Sequence, residues 1–266
     1  MRPVESFDTA GQGGQRDKEW VAMLPVINWA KQVAFEGNVS IPKISSSRAD
    51  SYDRAYDLAL FEDRANKQAL VLLVTIIMDF DFRDGDFGNG TWIDTDKRTF
   101  VDNLKAACEE AWSNQHLITP MYCADDLVWS EARVVILIKT AEGALSYFKS
   151  HWTVTVRKVE EPVQNYIKDK NDVRFESTGL DPSVPDGGIK KRRSIVHEFG
   201  HMLGYADEYP RSGRGINFYI SESDSIMHLG DVVKDRHYVF FADWISNKLG
   251  GPWAVEGRRT LKNTLL

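Results

Sequence analysis

Two cysteines in 266 residues cannot build a disulfide scaffold. Cys108 and Cys123 lack the paired spacing of a cysteine metal site and read as buried thiols, although their separation allows one bridge in an oxidising compartment. No apolar run approaches the ~18–20 residues needed to span a bilayer. Arg2 near the start is not followed by an apolar stretch, so no secretory signal is visible. Positive charge is in deficit: 33 Lys and Arg against 39 Asp and Glu leave a net charge of −6, which argues against nucleic acid as the main partner. What is present is an ordinary globular balance, 42% hydrophobic and 27% charged, which excludes a disordered or low-complexity chain.

Residues 1–18, with Gly11, Gly13 and Gly14 among glutamines, read as a flexible leader or linker, and residues 19–266 as one domain. A helix is expected from Pro25 to Phe35, stopped by Gly37, and a second over Ala49–Asn66, with Tyr52, Tyr56 and Ala59/Leu60 at helical spacing. Ala69–Met78 is a continuous apolar, β-branched run and reads as a central strand, followed by an Asp/Gly-rich loop over Asp79–Gly90. That loop does not match EF-hand spacing and reads as a solvated turn. Thr95–Trp112 is an amphipathic helix capped by Asp94 or Thr95. Ala132–Ile138 is a second buried strand. Trp152, Val154 and Val156 alternate with polar residues, as in a strand with one wet face. Ser177–Gly188 is rich in turn residues, and helices are expected over Lys191–Leu203 and Arg236–Leu249. The basic run Lys190–Arg193 reads as a solvated helix start, although its charge opposes the helix dipole. The order of elements gives an α/β or α+β layout with one sheet.

The chemistry is concentrated in Ser194-Ile-Val-His197-Glu198-Phe-Gly-His201, an HExxH pattern. At ~100° per residue, His197 and His201 lie about 40° apart and one turn up, with Glu198 about 60° to the side. Ile195, Val196, Phe199, Met202 and Leu203 take the other side and anchor the helix. Two imidazoles with a neighbouring carboxylate suit a zinc ion and a general base. The third ligand is open. Asp207 follows Gly204, where the chain can turn back. His237 opens the last helix, and Glu222 stands further along. Glu208 follows Asp207 and faces elsewhere in an extended segment. His228 reads as packing, and His116 and His151 have no motif around them. Tyr205, Tyr209 and Tyr238 are candidates to stabilise an oxyanion.

The extended pattern His197-Glu-Phe-Gly-His201-Met-Leu-Gly204-Tyr-Ala-Asp207 resembles HExxHxxGxxD, a minority form of the metzincin branch of zinc metallopeptidases. Ser225-Ile226-Met227 stands where that family has its Met-turn. The resemblance covers the second half of the chain and is weak or absent over residues 1–60. It implies a zincin-like α+β fold: one mixed sheet with flanking helices, an active-site helix and a smaller, mostly helical C-terminal part. It also implies Zn²⁺ held by His197, His201 and Asp207, with His237 as a rival or further ligand, and Glu198 as the base for peptide hydrolysis. The Trp152–Val156 strand is a candidate edge for an extended substrate. The wording HEFGHMLGYADEYP is also similar to zincin domains of bacterial toxins and secretion-system effectors. That likeness implies delivery without a signal peptide, a protein or peptide substrate, and a secretion carrier or immunity protein as partner. Two other functions fit the same residues: a non-proteolytic zinc-binding module, favoured by a fourth protein ligand, and a zinc hydrolase of a non-peptide amide.

Overall fold

The computed structural model describes residues 29–42, 51–63, 65–84, 90–122, 128–143, 149–160, 165–181, 185–186, 190–191, 193–209 and 219–256. The expected leader, the start of the first expected helix and Cys123 lie outside them. Strand β3 (Ala69–Arg83) is the axis of a nine-stranded mixed sheet. Its first part pairs in parallel with β5 (Glu131–Thr140), and its last part with β6 (Trp152–Arg157). Beyond β5 come β4 (Leu117–Pro120) and β11 (Trp253–Val255), both antiparallel. Beyond β6 come the parallel β8 (Asp172–Glu176) and, antiparallel to it, β7 (Tyr166–Asp169). The apolar run predicted as a central strand is therefore central, and it continues for five residues into the expected loop. The α+β class and the single main sheet agree with the sequence reading. A separate two-stranded ladder joins β9 (Pro185–Asp186) to β10 (Lys190–Lys191).

Two expected helices are strands. β1 (Trp29–Pro42) and β2 (Ser51–Asp63) form an antiparallel hairpin whose second strand pairs, through Asp57–Glu62, antiparallel with Leu70–Thr75 of β3. The helical reading rested on Tyr52, Tyr56 and Ala59/Leu60, of which Tyr52, Tyr56 and Leu60 lie four apart. A spacing of four is also a multiple of two, so it fits a strand face equally well. Leu58 is buried with those three, which is the period of a strand. Gly37, read as a helix stop, sits in the bulged stretch between Glu36 and Val39, where Asn38 has φ 57°.

Helix α1 (Asp94–Trp112) begins one residue before the expected start. Ile93 is its N-cap and makes no side-chain cap, while Asp94 and Asp96 occupy the first turn, where the helix dipole favours anions. Its buried face is Phe100, Leu104, Cys108, Glu109 and Trp112. Cys108 is a free thiol. The C-terminal part is a 3-10 turn (Asp235–Tyr238), helix α3 (Val239–Leu249) closed by Gly250 at φ 75°, and β11, which returns to the main sheet.

Where β4 has ended, side chains of α1 and the residue after it complete the hydrogen bonding of β5. Ser113 Oγ accepts the Ile136 N–H at 3.0 Å, and Glu109 Oε1 accepts the Ile138 N–H at 2.7 Å. Burial pushes the Glu109 carboxyl up to about 8, against the opposing pull of the Ile138 hydrogen bond and Lys105. Between roughly pH 4.5 and this raised value, the folded chain keeps a proton that the unfolded chain releases. The contribution of Glu109 to stability therefore falls as pH rises through that window. Glu109→Gln keeps the acceptor oxygen without the titration. Relative to wild type it should gain on the order of 2–4 kcal/mol between pH 5 and pH 8, measured by urea denaturation. Parallel pH profiles for the two proteins would contradict this.

Candidate metal centre

Helix α2 (Ser194–Met202) carries the HExxH residues. Its start is tied to the sheet through Asn165, which donates to Ser194 Oγ at 2.6 Å and accepts the Glu176 N–H at 2.8 Å. Ile195, Val196, Phe199 and Met202 are buried, as the apolar side of the motif requires. Trp112 Nε1 donates to the Val196 carbonyl at 3.1 Å, so α1 braces the helix from below. The expected helix start at Lys191 is displaced: Lys190 and Lys191 belong to β10, outside the helix and its dipole.

His197, Glu198 and His201 bring ligand atoms within 4.8 Å of one another, and among the described residues they are the group that could hold a metal ion by that measure. Both rings are oriented by backbone carbonyls. His197 Nδ1 donates to Ile226 O at 2.7 Å, and His201 Nδ1 donates to Tyr205 O at 2.6 Å. A carbonyl oxygen only accepts, so each Nδ1 bears a proton, and Nε2 is the ring atom left to face inward. Asp207 Oδ1 lies 3.1 Å from His197 Nε2 and 3.3 Å from His201 Nε2. Two Nε2 atoms and one carboxylate oxygen thus converge on one point. Burial raises the Asp207 carboxyl, but the two histidines outweigh it and hold the group well below the usual carboxylate range. Burial likewise lowers the His201 ring, while Asp207 and Glu198 outweigh it and raise it.

The segment reaches this position through Gly204 at φ +100°, a conformation that side chains disfavour; a Cβ there would also stand 3.3 Å from Ile41 Cβ. Beneath the helix lies Met227, fully buried, in contact with the place a Cβ would take on Gly200. The Met227 turn thus packs against helix α2 at Gly200.

The other candidates are held elsewhere. His237 Nδ1 accepts the Lys234 N–H at 3.1 Å, so its Nε2 carries the proton and donates to Glu208 Oε1 at 3.2 Å. With both ring nitrogens engaged, His237 does not join the histidine pair. Glu222 accepts from Arg236 Nη1 at 2.8 Å, and Glu208 faces Arg236 and Ser225. Tyr238 donates to Trp112 O at 2.5 Å, and Tyr205 donates to the His237 carbonyl while stacking on Trp112. Of the three tyrosines, Tyr209 stands nearest the site, stacked on His197 with ring centroids 6.1 Å apart. His228 packs against Tyr209, His116 meets the Val233 carbonyl at 2.8 Å, and His151 accepts the Ile77 N–H at 3.1 Å. The candidate substrate edge is corrected outright. β6 lies between β3 and β8, so its hydrogen-bonding edges are taken, and β7 ends that side of the sheet.

Sequence reasoning did not find the carbonyls of Ile226 and Tyr205 as the partners of the histidines. Backbone groups leave no mark on residue identity. Comparisons of the chain with models of protein families, with curated proteins and with solved structures returned no match.

Proposed function

We propose that the chain is a zinc-dependent hydrolase of peptide bonds, with His197, His201 and Asp207 as metal ligands and Glu198 as general base. The observation that carries this reading is the meeting of two Nε2 atoms and one carboxylate oxygen, with Nε2–Oδ1 distances of 3.1 and 3.3 Å. With both rings neutral these are three acceptors, which repel at that separation unless a cation stands between them. Ligands at ~2.1 Å on a tetrahedral zinc ion are separated by about 3.4 Å, close to the spacing here. Two imidazoles and one carboxylate are also a donor set suited to zinc. Zinc held there supplies Lewis-acid polarisation of a carbonyl and lowers the pKa of a water towards ~7.

Glu198 stands beside these donors, its Oε2 4.0 Å from His201 Nε2, with its side chain partly exposed. From there its carboxylate takes a proton from the attacking water and returns it to the leaving amine. The buried carbonyl contacts hold both rings in one tautomer through this cycle. A closed, purely structural site would call for a fourth protein ligand. His237, the candidate for that place, is engaged with Glu208 and Lys234.

Zinc titration with elemental analysis tests the proposal. About one Zn²⁺ per chain is expected, lost in His201→Ala. Asp207→Ala should weaken binding roughly 10-fold or more, and His237→Ala less. A protein that takes up no zinc, or one in which His237→Ala costs more than Asp207→Ala, would overturn this ligand set. Cleavage of a peptide library by the zinc-loaded protein, absent from the chelated protein, tests the substrate class.

A further inference from the structure

We propose that Glu208 and Arg236 are positioning residues for Asp207: their buried pairing locks the 205–209 segment to the Met227 turn, so that Asp207 faces the two histidines. This rests on the reading of His197, His201 and Asp207 as metal ligands. The segment that carries Asp207 has no helix or strand to hold it. The adjacent side chains of Asp207 and Glu208 meet different partners, the histidines and Arg236, so fixing Glu208 fixes the direction of Asp207.

Glu208 is fixed from several directions. Its N–H donates to Met227 O at 2.8 Å. Its Oε1 accepts from Arg236 Nε, and its Oε2 from Arg236 Nη2, both at 2.6 Å, in a two-pronged geometry that a single-point cation cannot make. Ser225 Oγ donates to Oε2 at 2.5 Å, and His237 Nε2 donates to Oε1. Ser225 and Met227 flank Ile226, whose carbonyl holds the His197 ring. One turn therefore orients His197 directly and Asp207 through Glu208. Both side chains of the ion pair are less than a tenth exposed. A buried pair is a poor source of stability once its desolvation is counted, but its geometry fixes position sharply.

The test uses the full chain, with Zn²⁺ affinity measured by competition with a chromophoric chelator and Co²⁺ absorption as a report on ligand geometry. Glu208→Gln and Arg236→Lys should each raise the Zn²⁺ Kd about 10–100-fold and alter the Co²⁺ visible bands. Lys158→Met, which removes a partly exposed pair with Asp96, should leave both unchanged. The double variant Glu208→Met/Arg236→Met removes both buried charges of the pair and leaves the more exposed Glu222 facing Lys234. It should recover the melting temperature lost in Glu208→Met without recovering the affinity, a split that a merely structural role does not give. Wild-type affinity and Co²⁺ spectra in folded Glu208→Gln and Arg236→Lys would overturn the proposal, as would recovery of affinity in the double variant. Absence of metal from the wild-type protein would instead overturn the metal centre, and this inference with it.

Discussion

Glu198→Gln should keep its zinc and lose hydrolysis by on the order of 10²–10⁴-fold. Asp207 Oδ1 lies within 3.3 Å of both Nε2 atoms, whereas the Glu198 carboxylate stands 4.0 Å from that of His201 and is partly open to solvent. It lies beside the three donors rather than between them. Glutamine keeps the shape but cannot accept the proton, so the loss should fall on kcat, with metal content unchanged. Elemental analysis and single-turnover kinetics on the same preparation separate the two effects. Loss of zinc in this variant would make Glu198 a ligand, and undiminished turnover would remove its role as base.

Gly200→Ala should strongly damage the support of the site, costing about 3 kcal/mol. The added Cβ would collide with Met227 Sδ and stand 2.7 Å from Trp112 Cζ2, both fully buried. Interiors at crystal-like density offer little room for either to withdraw. Trp112 is moreover pinned by its hydrogen bond to Val196. At this chain length such a loss lowers the melting temperature by roughly 6–12 °C. It should also weaken zinc binding, because helix α2 must rise off the Met227 turn, whose Ile226 carbonyl orients His197. The steric cause has a signature. Met227→Ala alone leaves a cavity, yet combined with Gly200→Ala the costs should sum to less than their total. Strict additivity in calorimetry would show that the two residues do not press on each other.

The residues of the site were legible where chemistry and periodicity agree. HExxH defines a helix face by its spacing, and the glycine followed by Asp207 defines a return. β3 and β5 were visible as continuous apolar runs, β6 by its alternation and α1 by its apolar stripe. The hairpin β1–β2 was misread because Tyr52, Tyr56 and Leu60 satisfy a helix and a strand alike, and only their burial with Leu58 decides between them. β7 and β8 are four or five residues long and carry charge at several positions, too little for a pattern to emerge. The edge assigned to β6 failed because strand order is a property of the whole sheet, unseen in one strand's alternation. Glu208 was correctly turned away from Asp207 by strand geometry. Its partner Arg236, 28 residues on, could not be named, because long-range ion pairs leave no spacing rule.

X-ray diffraction from zinc-soaked crystals, collected on both sides of the zinc absorption edge, tests the metal centre most directly. A single anomalous peak is expected between His197 Nε2, His201 Nε2 and Asp207 Oδ1, about 2.0–2.2 Å from each. A peak on His237 with Asp207 turned away, or no peak on the histidine pair at all, would contradict the ligand set proposed here.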